Sequence, residues 1–458
     1  MSAPNPAPSY RPERPRSIFG PIVLTGIGIV LLLCTTGRIS WHSFWLGFAK
    51  YWPLVLIFWG VAKLAEYLWA KQHGYPPPRL GAGSIVFLIF FIMFGATTTK
   101  VAGVDWRHVG EVIGDETDVD TFDIFGTAHE FTDTVAAPLS GATQIKVITS
   151  RGDITVTPSN DNQAHGAVRK TLHSDSDSAA DRMNNSTHPK FQQQGSLWVL
   201  DLTGGDYERG RFVLDLQLPR NAALSLSTRF GNISVTGVKG NVDASSNHGD
   251  ISAEQIAGDA SLRLHNGKLT ASNIGGNLTV DGGSDTNISD IGGMVTMTGS
   301  FPGEIQLSRV AKPVHFSTSR TTLDFARLDG DLNMELDSMR ATGIRGPLKL
   351  ETRSKTVHLE DFTGDVRIQD SNATVEMRPK TPLGNIDVTN KSGEIDLELP
   401  ESAGFQLDAE SRGGEIQSDF NVKVDNSGST ATATGTVGKG GATVKLKSDH
   451  GTIQIKKQ

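Results

Sequence analysis

Eight apolar residues recur at near-constant spacing down the middle of this chain, and that period constrains the fold more than any other feature. They are Val238, Ile256, Ile274, Ile291, Val310, Leu328, Ile344 and Phe362, at intervals of 18, 18, 17, 19, 18, 16 and 18. All but Val310 are followed two positions later by glycine. A repeat this short cannot bury its own apolar side and has to stack on its neighbours, which is the definition of a solenoid.

Between residues 231 and 280 the period divides in two, because Gly231, Gly240, Gly249, Gly258, Gly267 and Gly276 stand nine apart. Counting each glycine as the first position, the third is Ile233, Val242, Ile251, Ala260, Leu269 and Leu278, and the fifth is also small or apolar. Two apolar residues flanking one polar residue is the code of a strand with one buried face. The eighth position is apolar only in alternate nonapeptides (Val238, Ile256, Ile274), so the unit is eighteen residues. The predicted fold is therefore all-β: a single-stranded β-solenoid of about 18 residues per coil, built from two nine-residue strands. Its repeat core comprises Ile233, Val238, Ile251, Ile256, Leu269, Ile274, Ile291, Val310, Leu328, Ile344 and Phe362. The six glycines are its corners, expected to supply a positive φ or a tight bend.

The first hundred residues belong to another physical class. Apolar stretches at 18–36, 52–69 and 84–98 predict an α-helical membrane anchor of about three spans, and five of the seven tryptophans lie between Trp41 and Trp69. Lys63 and Glu66 read as a snorkelling pair near the interface. Arg11, Arg14 and Arg16 precede the first span, and Lys63, Lys71 and Arg79 separate the second from the third. By the positive-inside rule the N-terminus is cytoplasmic and the β body periplasmic or extracellular. The expected organisation is a cytoplasmic Pro/Arg-rich tail over 1–16, a multi-pass transmembrane region over 17–100, an acidic linker over 101–140 and the solenoid over 141–458. Residues 160–196 and 426–441, rich in Ser, Asp, Asn and Gly, read as long loops.

Leu214 to Asp250, LDLQLPRNAALSLSTRFGNISVTGVKGNVDASSNHGD, resembles the bacterial adhesin-type domain with a toastrack-like β-solenoid built on Ser-x-x-Gly-Asp-Ile repeats. The resemblance covers roughly 141–458. Pro21-Ile22-Val23-Leu24, Gly28 and Tyr51-Trp52-Pro53-Leu54-Val55-Leu56-Ile57 resemble the LiaI/LiaF-like transmembrane region of envelope-stress proteins over about 17–70. Here a third span follows, a departure from the two-span hairpin. The resemblance implies an extracytoplasmic solenoid on a membrane anchor and transfers no catalytic residue.

The remaining motifs favour structure over chemistry. Arg151-Gly152-Asp153 matches an integrin-binding tripeptide, yet Gly-Asp-Ile is this chain's own corner motif, repeated at Gly249-Asp250-Ile251. Gly282-Gly283-Ser284-Asp285 is too isolated for a calcium β-roll, which needs such corners throughout. His248, His265, His315 and His358 lack metal-ligand spacing. The single cysteine, Cys34, excludes an internal disulfide framework, and a net charge of −7 without a basic stripe argues against nucleic acid. No excursion carries a nucleophile and base or paired acids in an apolar frame, so catalysis, cofactor and metal are not expected. The partners expected are the lipid bilayer and an envelope polymer, surface ligand or membrane protein. The functional expectation is a non-catalytic cell-surface or envelope binding module resembling adhesins; the alternative is an envelope-stress sensor or regulator coupled through its membrane helices.

Overall fold

The computed structural model describes residues 127–139, 144–161 and 163–458. The three predicted spans, the tail and most of the acidic linker lie outside these residues. Among the described residues no helix is long and apolar enough to cross a membrane.

Thr127–Gln458 forms one compact unit built from two stacks of strands. In its central part each eighteen-residue coil gives one strand to each stack. The first stack runs Ala223–Phe230, Val242–His248, Ala260–Asn266, Leu278–Asp281, Val295–Thr298 and Val314–Ser317, every pair parallel. The second runs Ile233–Thr236, Ile251–Ile256, Leu269–Ile274, Thr286–Ile291 and Ile305–Val310, also parallel. Side chains alternate in and out, so Ile251, Ala253 and Ile256 are buried while Ser252, Glu254 and Gln255 face out. All eleven predicted repeat-core residues are at most 2% exposed.

The step from two-residue alternation to an inward eighth position has a local cause. The residue immediately before each of seven of the eight recurring apolar residues is left-handed: Gly237 (φ 75°), Gln255 (55°), Asn273 (55°), Asp290 (57°), Arg309 (50°), Gly343 (73°) and Asp361 (51°). That turn rotates the following Ile, Val or Phe back into the core. Five of the seven are not glycine, and each such residue pays about 1–2 kcal/mol of steric cost that burial of the next side chain offsets.

The corner glycines fall into two classes. Gly231, Gly249 and Gly267 have positive φ, and a Cβ on Gly249 would also stand 2.2 Å from the carbonyl oxygen of Gly231 one coil below. Gly240, Gly258 and Gly276 are not in the left-handed region; there the requirement is space, since a Cβ on Gly258 would stand 2.8 Å from the Gly240 carbonyl. The residue after the glycine links the coils. Asp153 Oδ1 accepts the backbone N–H of Asn232 (2.8 Å), Asn232 Oδ1 that of Asp250 (2.7 Å), and Asp250 Oδ1 that of Lys268 (2.7 Å). The opposite corner repeats this from Asn241 to Asp259, Asn277 and Met294 at 2.7–3.0 Å.

A third column lies inside the corner, three residues before the glycine. Thr228 Oγ1 donates to the Gly152 carbonyl (3.2 Å), Ser246 Oγ to that of Gly231 (2.9 Å), and Ser411 Oγ to that of Gly451 (2.7 Å). The Ser-x-x-Gly-Asp-Ile repeat thus reads as buried donor, close-approach corner, coil-to-coil acceptor and core. Asp370 occupies the donor position in register with Asn390, Ser448 and Ser411. It is 4% exposed; Oδ1 accepts the Ser371 N–H (2.6 Å), while Oδ2 is buried without a hydrogen-bond partner. Burial pushes its carboxyl above the ordinary carboxylate range, against the backbone N–H groups that stabilise the anion.

Four expectations are corrected. The constant period does not mean a constant strand direction: Thr321–Met334 runs antiparallel to both Val314–Ser317 and Ile305–Val310, and Ile344–Thr352 turns back again. Residues 160–196 are not a loop, since they form the strand Ala164–Ser174, the helix Asp177–Ser186 and the strand Phe191–Gln194. Within 426–441, Thr430–Val437 is a strand covering the edge of Phe405–Arg412. The compact unit begins before 141, because the last part of the acidic linker is the strand Thr127–Ala137, paired with Ala164–Ser174. A fully buried Lys170 fastens that strand: its ammonium lies 2.6 Å from Asp133 Oδ2 and donates to the Thr187 and Asn184 carbonyls at the end of the helix. Burial pushes the Asp133 carboxyl up, but the bonds from Lys170 and His188 outweigh it and hold it below its ordinary range.

Near both ends of the unit the strands do not stack in chain order. Gln144–Arg151 lies between Leu197–Leu202 and Ala223–Phe230. At the other end Ala442–His450 lies between Val375–Ser392 and Phe405–Arg412, and Ile453–Lys457 between Ile395–Leu399 and Ile416–Ser418.

Two stability experiments follow from this register. Ile251→Ala, at a position 1% exposed, is expected to cost roughly 2–5 kcal/mol, and Ser252→Ala, facing out, to be near neutral; equal losses in denaturant melts would refute the alignment. For Asp370 the folded-state proton affinity exceeds that of the unfolded chain, so its ionisation costs stability as pH rises above the ordinary value of 3.8. Asp370→Ser, which restores the donor found on neighbouring coils, should therefore stabilise the protein by roughly 1–2 kcal/mol near neutral pH. The gain should shrink towards pH 3, about one unit below the ordinary carboxylate value, and a gain independent of pH would show that ionisation is not its source.

Candidate ligand-binding face

The outward side chains of the second stack form one column across the strands. Its first half is neutral and small: Thr155, Ser234, Ser252, Thr270, Asn287 and Gln306 stand in register. Its second half is charged. Arg340, His358, Glu376 and Asp396 follow one another, with Glu360, Arg378 and Glu398 beside them. These charges satisfy each other. His358 Nδ1 lies 2.7 Å from Glu376 Oε2 and Nε2 lies 2.7 Å from Glu360 Oε1. Arg378 reaches Glu360 at 3.2 Å and Glu398 at 2.8 Å, and Lys456 lies 2.6 Å from Asp396. The hydrogen bond from His358, with Arg378 nearby, holds the Glu360 carboxyl below the ordinary carboxylate range.

Between the halves, where strand direction reverses, the face opens into a groove of about 490 Å³ lined by Asn287, Ser289, Gln306, Ser308, Asp331 and Asn333 with Arg309 at its side. A bulge makes the space: Ser308 pairs with Asp331 and Val310 with Leu328, so two steps on one strand face three on the other. Two anchored groups shape it. Glu304 Oε1 accepts from both Gln306 Nε2 (2.9 Å) and Asn333 Nδ2 (2.6 Å), and the Arg309 guanidinium is held by Asp290 through Nε (2.6 Å) and Nη2 (2.8 Å).

The motifs singled out in the sequence lie elsewhere. Arg151 stacks over the Phe230 ring (5.4 Å), and Asp153 pairs with Arg211 (3.1 Å) as well as accepting the corner N–H, so the tripeptide is built into the coil. His248 stacks on Phe230 with ring centroids 5.0 Å apart, His265 is exposed, and His315 Nδ1 meets Asp324 at 2.5 Å. Among the described residues no group of three or more His, Cys, Asp or Glu is arranged to hold a metal ion. The groove itself was not foreseen. The change from Ser and Thr to Asn287 and Gln306 in the outward column was a legible signal, but Asn333 joins them only through the strand reversal.

The Toastrack DUF4097 family matches residues 214–456, more than half of the chain. This chain belongs to that family. The model of the LiaI-LiaF-like transmembrane region matches residues 18–64. No curated protein matches it. A crystal structure described as "a putative cell adhesion protein" from Clostridium sporogenes is similar at 10% identity, covering 72% of this chain and 100% of that one. Its TM-score is 0.16, too low for that likeness to carry an argument.

Proposed function

We propose that this toastrack protein is a non-catalytic recognition module, held by about three N-terminal spans with its N-terminus in the cytoplasm and its solenoid displayed outside. The observation that carries the reading is the second-stack face: an in-register polar column opening into a groove, in which the carboxylates other than Asp331 are engaged in ion pairs and in hydrogen bonds from carboxamides rather than converging as free acids or bases. Such a face suits an extended envelope polymer or surface ligand, because a stacked sheet presents its groups along a line without changing shape. The lipid bilayer is the second partner. The basic residues before the first span and between the second and third support the orientation.

One observation favours the alternative of a membrane-coupled stress sensor. The strand Thr127–Ala137, which continues directly from the linker, is locked to the solenoid by the buried Asp133–Lys170 pair. Strain in the membrane-proximal chain therefore has a rigid point of entry.

An extracytoplasmic reporter fused after Gly141 is expected to be active and one fused at Gln72 inactive; the reverse pattern would overturn the orientation. Exchanging residues 17–100 for an unrelated single-span anchor of the same orientation separates the two functions. Retained binding of purified envelope material is expected for a recognition module, whereas a lost stress response with intact export and binding would favour the sensor.

A further inference from the structure

We infer that the groove at the strand reversal binds an uncharged carbohydrate chain, laid along the rod axis across the strands; this rests on the recognition-module reading and specifies its ligand.

Four properties of the groove lead there. The first is the state of its charges. Arg309 is held in a two-pronged pair by Asp290, and the Glu304 carboxylate is occupied by the carboxamides of Gln306 and Asn333. With Asp331 also on the wall, three carboxylates surround one guanidinium and only Asp290 is neutralised by it, an excess of negative charge that repels phosphate- or sulfate-bearing polymers.

The second is what remains free. Because Glu304 takes the amide NH₂ groups, it fixes both carboxamides and leaves carbonyl oxygens as acceptors. Of the two, Gln306 is exposed and can turn its carbonyl to a ligand, whereas Asn333 Oδ1 is buried without a hydrogen-bond partner. The hydroxyls of Ser289 and Ser308 act as either donor or acceptor. A ligand complementary to this set offers many hydroxyl groups and no negative charge. The third is the mixed character of the wall: Leu307 and Leu332 line the groove beneath the outward amides and hydroxyls, a combination that suits a sugar ring, which has apolar C–H faces and a polar rim, better than a wholly apolar lipid or peptide.

The fourth is direction. An extended peptide binds a sheet through backbone groups at an open edge, whereas here the strands on both sides of the groove are already paired, Ile305–Val310 with Thr286–Ile291 and with Thr321–Met334. What the face offers is side chains only, repeating about every 4.8 Å across the strands. The column leads out of the groove through Thr270, Ser252 and Ser234, a track for successive sugar units of one chain.

The test uses the full-length protein purified in detergent and calorimetric titration with neutral cello-, chito- and malto-oligosaccharides of two to six units, and with an acidic galacturonate hexamer. Affinity is expected to rise with chain length for at least one neutral series and to exceed that for the acidic hexamer. Gln306→Ala and Asn287→Ala, both exposed positions, should each weaken it about tenfold, roughly one lost hydrogen-bonding group at 1.4 kcal/mol. Thr279→Ala, on the outward face of the first stack, should leave it unchanged. No binding to any neutral series, preference for the acidic hexamer, or equal affinity in the groove variants would overturn the proposal. Binding of purified envelope material by the same samples distinguishes the two levels: if it persists and Gln306→Ala weakens it while the oligosaccharides fail, the carbohydrate assignment falls and the recognition module stands, and if it too is absent, both fall.

Discussion

Everything else in this solenoid depends on the hydrogen bond that crosses from one corner to the next. Within the strands, pairing of the backbone groups is automatic once the coils are stacked. At a corner the chain turns away from its neighbour and a backbone N–H loses its ladder partner. Asp153, Asn232 and Asp250 on one side, and Asn241, Asp259 and Asn277 on the other, supply that partner from the coil below. The bond also fixes vertical register: it forms only when equivalent residues lie one above another. Glycine is then required because the corners approach to within the space of a methyl group, and the left-handed residues before each recurring apolar side chain follow from the need to close an eighteen-residue coil around a core.

Much of this was legible in the sequence. The spacing of the recurring apolar residues gave the coil length, and the alternation around Ile251 and Leu269 gave the buried face. The antiparallel strand Thr321–Met334 escaped notice for a definite reason. Val310, Leu328 and Ile344 stay in one column through the reversal, so inward–outward alternation and spacing are the same whichever way the chain runs. The strand Ala164–Ser174 was hidden by polar outward residues and by Lys170, which looks solvent-exposed in sequence and is buried beside Asp133. Asp370 looks like any surface acid; only its register with Ser411 and Ser448 marks it as a misfit in a column of donors.

The candidate site was legible in part for the same reason. Asn287 and Gln306 are outward by the repeat, but neither the bulge that opens the groove nor the Glu304 bond to Asn333 can be deduced without knowing that the next strand arrives in the opposite direction. The reversal therefore has two effects. It breaks the monotony of an otherwise uniform face, and it divides that face into a neutral half and a half of compensated charge, giving a flat sheet a distinct place along its length.

The inward placement of the C-terminal segment bears on how the far end holds together. From Ala223–Phe230 to Ile395–Leu399 each strand is laid on one that precedes it in the chain. Phe405–Arg412 is not, since its route to the rest of the stack passes through Ala442–His450, with only the local Thr430–Val437 on its other side. Without Ala442–His450, Phe405–Arg412 would keep only Thr430–Val437 beside it, so removing that one strand would not shorten the rod by a coil but would leave a gap inside it.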